Sequence, residues 1–166
     1  MSKIHRTFAD LNKLATQKQT TTVVPPDKRH KNLNIEVTAE YQKVLDLIRE
    51  GEPIIFVSGK AGTGKTTLIN YLRSVLDNKM VVVAPTGGAA LNIQGQTIHS
   101  FFQFPPYLIQ KENVKKLEDR RLITNLQLLI VDEVSMVRAD VMDGIDYFLR
   151  INRQDNKKPF GGVQVL

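Results

Sequence analysis

Gly59, Gly62, Gly64, Lys65 and Thr66 stand at spacings that suit one task, holding a chain of phosphates. Gly59 with Gly64, Lys65 and Thr66 meets the pattern G-x-x-x-x-G-K-[ST] of a phosphate-binding loop. Glycines at 59, 62 and 64 let successive N–H groups turn inward with no Cβ in the way. The helix expected next adds its unpaired N–H groups and the positive end of its dipole. The Lys65 ammonium can reach the outer phosphates of a nucleotide, and the Thr66 hydroxyl can ligate Mg²⁺. Ala61, Thr63 and Thr67 complete the expected contact set. Far downstream, Asp132 and Glu133 end an apolar run. A carboxylate at the end of a buried strand beside such a loop can hold Mg²⁺ through water, which suits Asp132. Glu133, one residue on, can take a proton from an attacking water, so that a phosphoryl group passes to water. The competing reading has the acidic pair capping a helix that enters at Ser135.

A second anion site is offered by Thr86 and Gly87, where a strand gives way to a helix. With one such site already committed to the nucleotide, a nucleic-acid phosphate is the natural occupant; a tight strand–helix turn is the plainer reading. His99 admits a contact to phosphate or base beside a purely structural role. Phe101, Phe102 and Phe104 offer either stacking faces for single-stranded bases or core packing.

The elements that must position these residues follow from pattern. Thr38 is an N-cap for a helix running to Glu50, with Tyr41, Val44, Leu45 and Ile48 on one face and Gly51 as its stop. An apolar run over residues 54–57 forms the strand that enters the loop, and Leu68, Ile69, Leu72, Val75 and Leu76 keep helical spacing after it. Residues 80–84 and 126–131 read as strands buried on both faces. Residues 111–121 read as a charged surface helix, and residues 138–150 as a helix turning Val141, Ile145, Phe148 and Leu149 inward. Residues 152–158 read as a polar connection, and residues 161–166 open a fourth strand. Alternating strands and helices predict an α/β fold with a doubly wound parallel sheet.

The chain has 166 residues, enough for one real core, and no cysteine for disulfides or thiolate metal sites. No run approaches the length of a membrane span and no signal-type apolar segment opens the chain, so a soluble intracellular protein is expected. The net charge of +6 divides unevenly. Residues 1–37 hold 7 basic against 3 acidic residues, giving +4, and the remainder 16 against 14, giving +2. Residues 1–37 therefore read as a flexible basic arm, and charge alone marks no DNA-binding face on the body.

Four motifs follow in order: Gly59-Lys-Ala-Gly-Thr-Gly-Lys-Thr66, Ala84-Pro-Thr-Gly-Gly-Ala-Ala90, Gln96-Thr-Ile-His-Ser100 and Val131-Asp-Glu-Val-Ser-Met-Val137. The series resembles superfamily-one helicases of the petite-integration-frequency (Pif) family. The RecD branch shares much of it, but residues 138–146 and 159–164 favour the Pif type. The resemblance implies a RecA-like P-loop fold over residues 38–166, with ATP and Mg²⁺ as cofactors. It assigns phosphate and metal to Lys65 and Thr66, the metal to Asp132, and water activation to Glu133. Gln42 stands where the family reads adenine, and Thr86, Gly87 and His99 fall in motifs it places near single-stranded DNA. It further implies a motor moving 5′ to 3′ on single strands and unwinding forked duplexes in repair, recombination, replication or telomere maintenance. The sequence does not give the oligomeric state; a monomer not bound to membrane is the expectation. A bacterial cytoplasm is the expected setting. The pattern stops after the start of the fourth strand, which this class places between the loop strand and the Asp-Glu strand. The expectation is thus a truncated domain, lacking a second RecA-like domain and inactive alone as a motor. A non-motor nucleotide-binding module and a RecD-type P-loop ATPase are the alternatives.

Overall fold

Thr38 caps the first helix as the sequence leads one to expect. Its hydroxyl accepts from the Tyr41 N–H at 3.3 Å and starts helix α1, Ala39–Glu50. Gly51 ends it in the left-handed region at φ 85°, where its N–H reaches back to Ile48 and Leu47. The computed structural model describes residues 37–60, 62–76 and 79–166, so the expected arm over residues 1–37 lies outside it except for Val37.

Helix α2 (Lys65–Val75) leaves the glycine loop, followed by strand β1 (Met80–Ala84) and the short helix α3 (Gly87–Asn92). Strand β2 (Gln96–Thr97) runs straight into helix α4 (Ile98–Phe102). After a long irregular stretch come helix α5 (Arg121–Asn125), strand β3 (Leu128–Val131), helix α6 (Ala139–Arg153) and strand β4 (Gln164–Val165). The sheet order is β2-β1-β3-β4, every pairing parallel, with Met80 opposite Leu128 and Leu128 opposite Gln164.

The apolar runs of β1 and β3 are explained by burial on both faces. Val82, Ala84, Leu128 and Ile130 join one core with Leu45, Leu68 and Leu72 of α1 and α2. By the two-residue period of a strand, Val83 and Leu129 point the other way, and both are fully buried as well. Among the described residues, no helix is long and apolar enough to cross a membrane.

Three expectations need correction. The strand over residues 54–57 is reduced to one parallel bridge, Ile54 to Val165, made by Ile55 N–H to the Val165 carbonyl at 2.8 Å and Val165 N–H to the Pro53 carbonyl at 3.0 Å. Its neighbour β4 offers only two residues for pairing, and Ile54 and Phe56 are 58% and 75% exposed. The bridge does place β4 between β3 and the loop-bearing segment, as expected. The helix over residues 111–121 is absent apart from a 3-10 turn at Lys111–Asn113. Asn152 explains why: its side chain accepts from Leu117 N–H at 2.7 Å and donates to the Lys115 carbonyl at 3.1 Å. Those backbone groups bond across the fold, not along a helix. The same residue corrects the third expectation, because Asn152 is fully buried inside α6, not part of a polar connection.

Candidate active site

A parallel sheet brings the ends of all its strands to one edge, and ligands of open α/β sheets bind beyond that edge. Thr86 and Gly87 follow β1, His99 follows β2, Asp132 follows β3, and the glycine loop follows the Ile54 bridge. Apart from Gln42 on α1, the expected site residues therefore share one edge, although nothing local in the sequence joins them.

The loop is shaped by its glycines. Gly62 and Gly64 take φ values of 77° and 89°, a region that side chains with Cβ rarely adopt. A Cβ on Gly59 would sit 2.6 Å from the Thr63 hydroxyl, which donates to the Lys60 carbonyl at 2.8 Å. Lys65 arches back across the loop, its ammonium donating to the carbonyls of Gly59 at 2.7 Å and Lys60 at 3.0 Å. Thr66 and Thr67 lie exposed on the first turn of α2. Ala61 lies outside the described residues.

Asp132 extends the β1–β3 ladder by one bond, its N–H donating to the Val83 carbonyl at 2.9 Å. Lys65 and Asp132 line the same cavity of about 300 Å³, whose other walls include Phe56, Val134, Met142 and Phe160. The rest of the lining is apolar, with Ile54, Ile55, Leu68, Ile69, Ile130 and Val165 among it, so Lys65 and Asp132 are its charged residues. Glu133 is exposed and holds a left-handed backbone at φ 50°. It precedes a 3-10 turn at Val134–Met136 without a side-chain cap bond, so the capping reading has no support. For a residue with a Cβ that conformation costs on the order of 1–3 kcal/mol, a cost found at functional sites.

Gln42 stands apart from this cavity: its amide donates to Asp46 at 2.7 Å, along its own helix. Thr86 caps α3 by accepting from Ala89 N–H at 3.2 Å, while Gly87 beside it is exposed. His99 is half-buried in α4, and its carbonyl accepts from Phe104 N–H. The phenylalanines are core. Phe102 is stacked on Phe104 at 5.4 Å and edge-on to both Phe101 and Phe148, so none of this cluster is free to stack on bases. One residue at the loop was not anticipated: the Tyr41 hydroxyl donates to the Gly64 carbonyl at 2.7 Å. Pattern alone marks Tyr41 only as part of the apolar face of α1.

Comparison with known proteins follows the same outline. The family model for PIF1-like helicases matches residues 32–166. The chain is 32% identical over 182 aligned positions to the ATP-dependent DNA helicase PIF1 of Saccharomyces cerevisiae, an alignment covering 96% of this chain and 21% of the yeast protein. With the mouse protein of that name it shares 35% identity, covering 94% of this chain and 25% of the other. A crystal structure of the Pif1 helicase from Bacteroides in complex with ADP-AlF3 and single-stranded DNA superposes with a TM-score of 0.72 at 42% identity. That match covers 80% of this chain and 32% of the Bacteroides chain.

Proposed function

The chain belongs to the PIF1-like helicase family, and from that premise we propose that it supplies the nucleotide-binding portion of an ATP-dependent DNA helicase motor. It spans about a quarter or less of the yeast and mouse relatives, so the motor reading concerns the function it serves with the regions they carry beyond the match. The observation that carries the reading is the glycine loop that opens α2 with Lys65 arched across it, while Asp132 follows β3 on the same edge of the sheet.

The donor set fits Mg-ATP. Loop N–H groups and the α2 N-terminus cradle phosphate, and Lys65 exchanges its two carbonyl partners for phosphate oxygens. One carboxylate, Asp132, and one hydroxyl, Thr66, suit a Mg²⁺ ion that takes its remaining ligands from phosphates and water. The bound ion supplies charge neutralisation between the phosphates. Glu133 accepts the proton of the attacking water. Gln42 turns from Asp46 to read adenine. Thr86, Gly87 and His99, on the same edge, face single-stranded DNA, and the motor advances 5′ to 3′ to open forked duplexes. A RecA-like core over residues 38–166, with a basic arm before it, is the domain plan this reading requires.

Titration of the chain with a fluorescent ATP analogue and Mg²⁺, beside Lys65→Ala, tests the nucleotide site. Saturable binding that Lys65→Ala weakens at least about tenfold is expected, since a charge-assisted bond to phosphate contributes about 1.5–3 kcal/mol. A folded wild-type chain with no affinity for the analogue would overturn the reading.

A further inference from the structure

We infer that Tyr41 is a positioning residue for the phosphate loop, a phenolic strut that fixes the carbonyl of Gly64 from the neighbouring helix. This rests on the reading of the loop as a triphosphate site. Gly64 is the N-cap of α2 and stands in the left-handed region at φ 89°, the hinge at which the loop becomes a helix. Its carbonyl accepts two hydrogen bonds, from Leu68 N–H at 2.8 Å within α2 and from the Tyr41 hydroxyl at 2.7 Å from α1. The first bond belongs to every α-helix; the second comes from a residue 23 positions away and ties the loop to a separate element.

A further contact holds the strut in place, and the space at residue 64 is fitted to it. The Tyr41 ring stacks on that of Tyr71 in α2, with centroids 6.0 Å apart and planes inclined by 25°. A Cβ on residue 64 would collide with the Tyr41 hydroxyl, so glycine is required there by the close approach as well as by its φ. A peptide plane is rigid. Holding the Gly64 carbonyl therefore also sets the direction of the next N–H, that of Lys65, which the helix leaves unpaired and free for phosphate. Without the hydroxyl, the glycine hinge must be ordered by the ligand at the moment of binding, and affinity falls by that ordering cost. A strut acting on the phosphate cradle affects ATP and bare polyphosphate alike.

The test uses Tyr41→Phe in the whole chain, which keeps the ring against Tyr71 and removes only the hydroxyl. Affinities for a fluorescent ATP analogue, and for inorganic tripolyphosphate by competition, are measured with Mg²⁺, together with the thermal midpoint and the amide exchange rate of Leu68. Both affinities are expected to fall by a similar factor, about 2- to 12-fold for one hydrogen bond, with faster Leu68 exchange. Unchanged affinity for both ligands would overturn the inference, even with a lowered midpoint, because Tyr41 would then serve stability alone. Loss of affinity for the ATP analogue only would overturn it too, moving the role to the base. A folded wild-type chain that binds neither ligand would defeat the triphosphate reading itself, and this inference with it.

Discussion

Asp140 shows what a single carboxylate can hold together. It accepts from the Arg138 guanidinium at 2.8 and 2.5 Å and from the Ile109 N–H at 2.9 Å, so from the first turn of α6 it holds the Arg138 side chain and fixes a loop 31 residues away. The Arg138 side chain first, and then the Ile109 N–H, hold its carboxyl well below the ordinary value of 3.8. A depressed carboxylate contributes stability that is fully present above its unfolded pKa and is lost as pH falls through the folded one. Urea unfolding of wild type and Asp140→Asn should therefore show a stability gap that is flat above about pH 5 and narrows under more acid conditions. A gap that widens toward acid pH would contradict this account. At the same scale, Gly161 takes φ 58° with a would-be Cβ 2.8 Å from the Leu149 carbonyl, so the turn before β4 accepts no side chain there.

At the scale of elements, α6 organises the segment between α4 and α5. Three of its residues act on that segment: Asp140 through Ile109, Gly144 by letting Phe104 and Ile109 pack close, and Asn152 through Leu117 and Lys115. Arg153 extends the arrangement, donating to the carbonyls of Ile123, Thr124 and Leu126 at the end of α5 and to Gly161 before β4. Asn152→Ala leaves the part-buried Leu117 N–H and Lys115 carbonyl without these partners, a loss of about 0.5–1.5 kcal/mol per hydrogen bond. The expected outcome is a lower urea midpoint, with limited proteolysis shifted to residues 110–120. A midpoint equal to wild type would show that water replaces the amide without cost. The missing helix over residues 111–121 belongs here: its charges fit a solvated helix, but the backbone partners that α6 supplies outweigh the local preference, which is worth only tenths of a kcal/mol per residue.

At the scale of the whole molecule, the sheet edge at the loop carries an apolar surface. Ile54 and Phe56 are exposed beside the cavity that Leu166, Met142 and Phe160 also line. Exposed apolar surface of this kind promotes association between copies. Phe56→Asp should leave unfolding stability within about 0.5 kcal/mol, as expected for an exposed site, and should reduce light scattering at high protein concentration. A large stability loss would mean that Phe56 is packed in solution, in conflict with its exposure.

Much of this molecule is written locally. The glycine loop, the Thr38 cap, the Gly51 stop and the two buried strands each depend on residues within a few positions of one another, so spacing and residue type were sufficient to find them. The order of the motifs carried the family. Tertiary structure alone decided the rest. Pairing with β4 reduced the loop strand to a bridge, Asn152 drew the backbone of residues 115–117 out of a helix, and the phenylalanines closed into a cluster. It also placed the Tyr41 hydroxyl on Gly64. These outcomes join residues 23, 35 and 37 positions apart. Such contacts exist only once the sheet and its helices have met, because a hydrogen bond or a packed ring depends on distance in space, which local pattern does not encode.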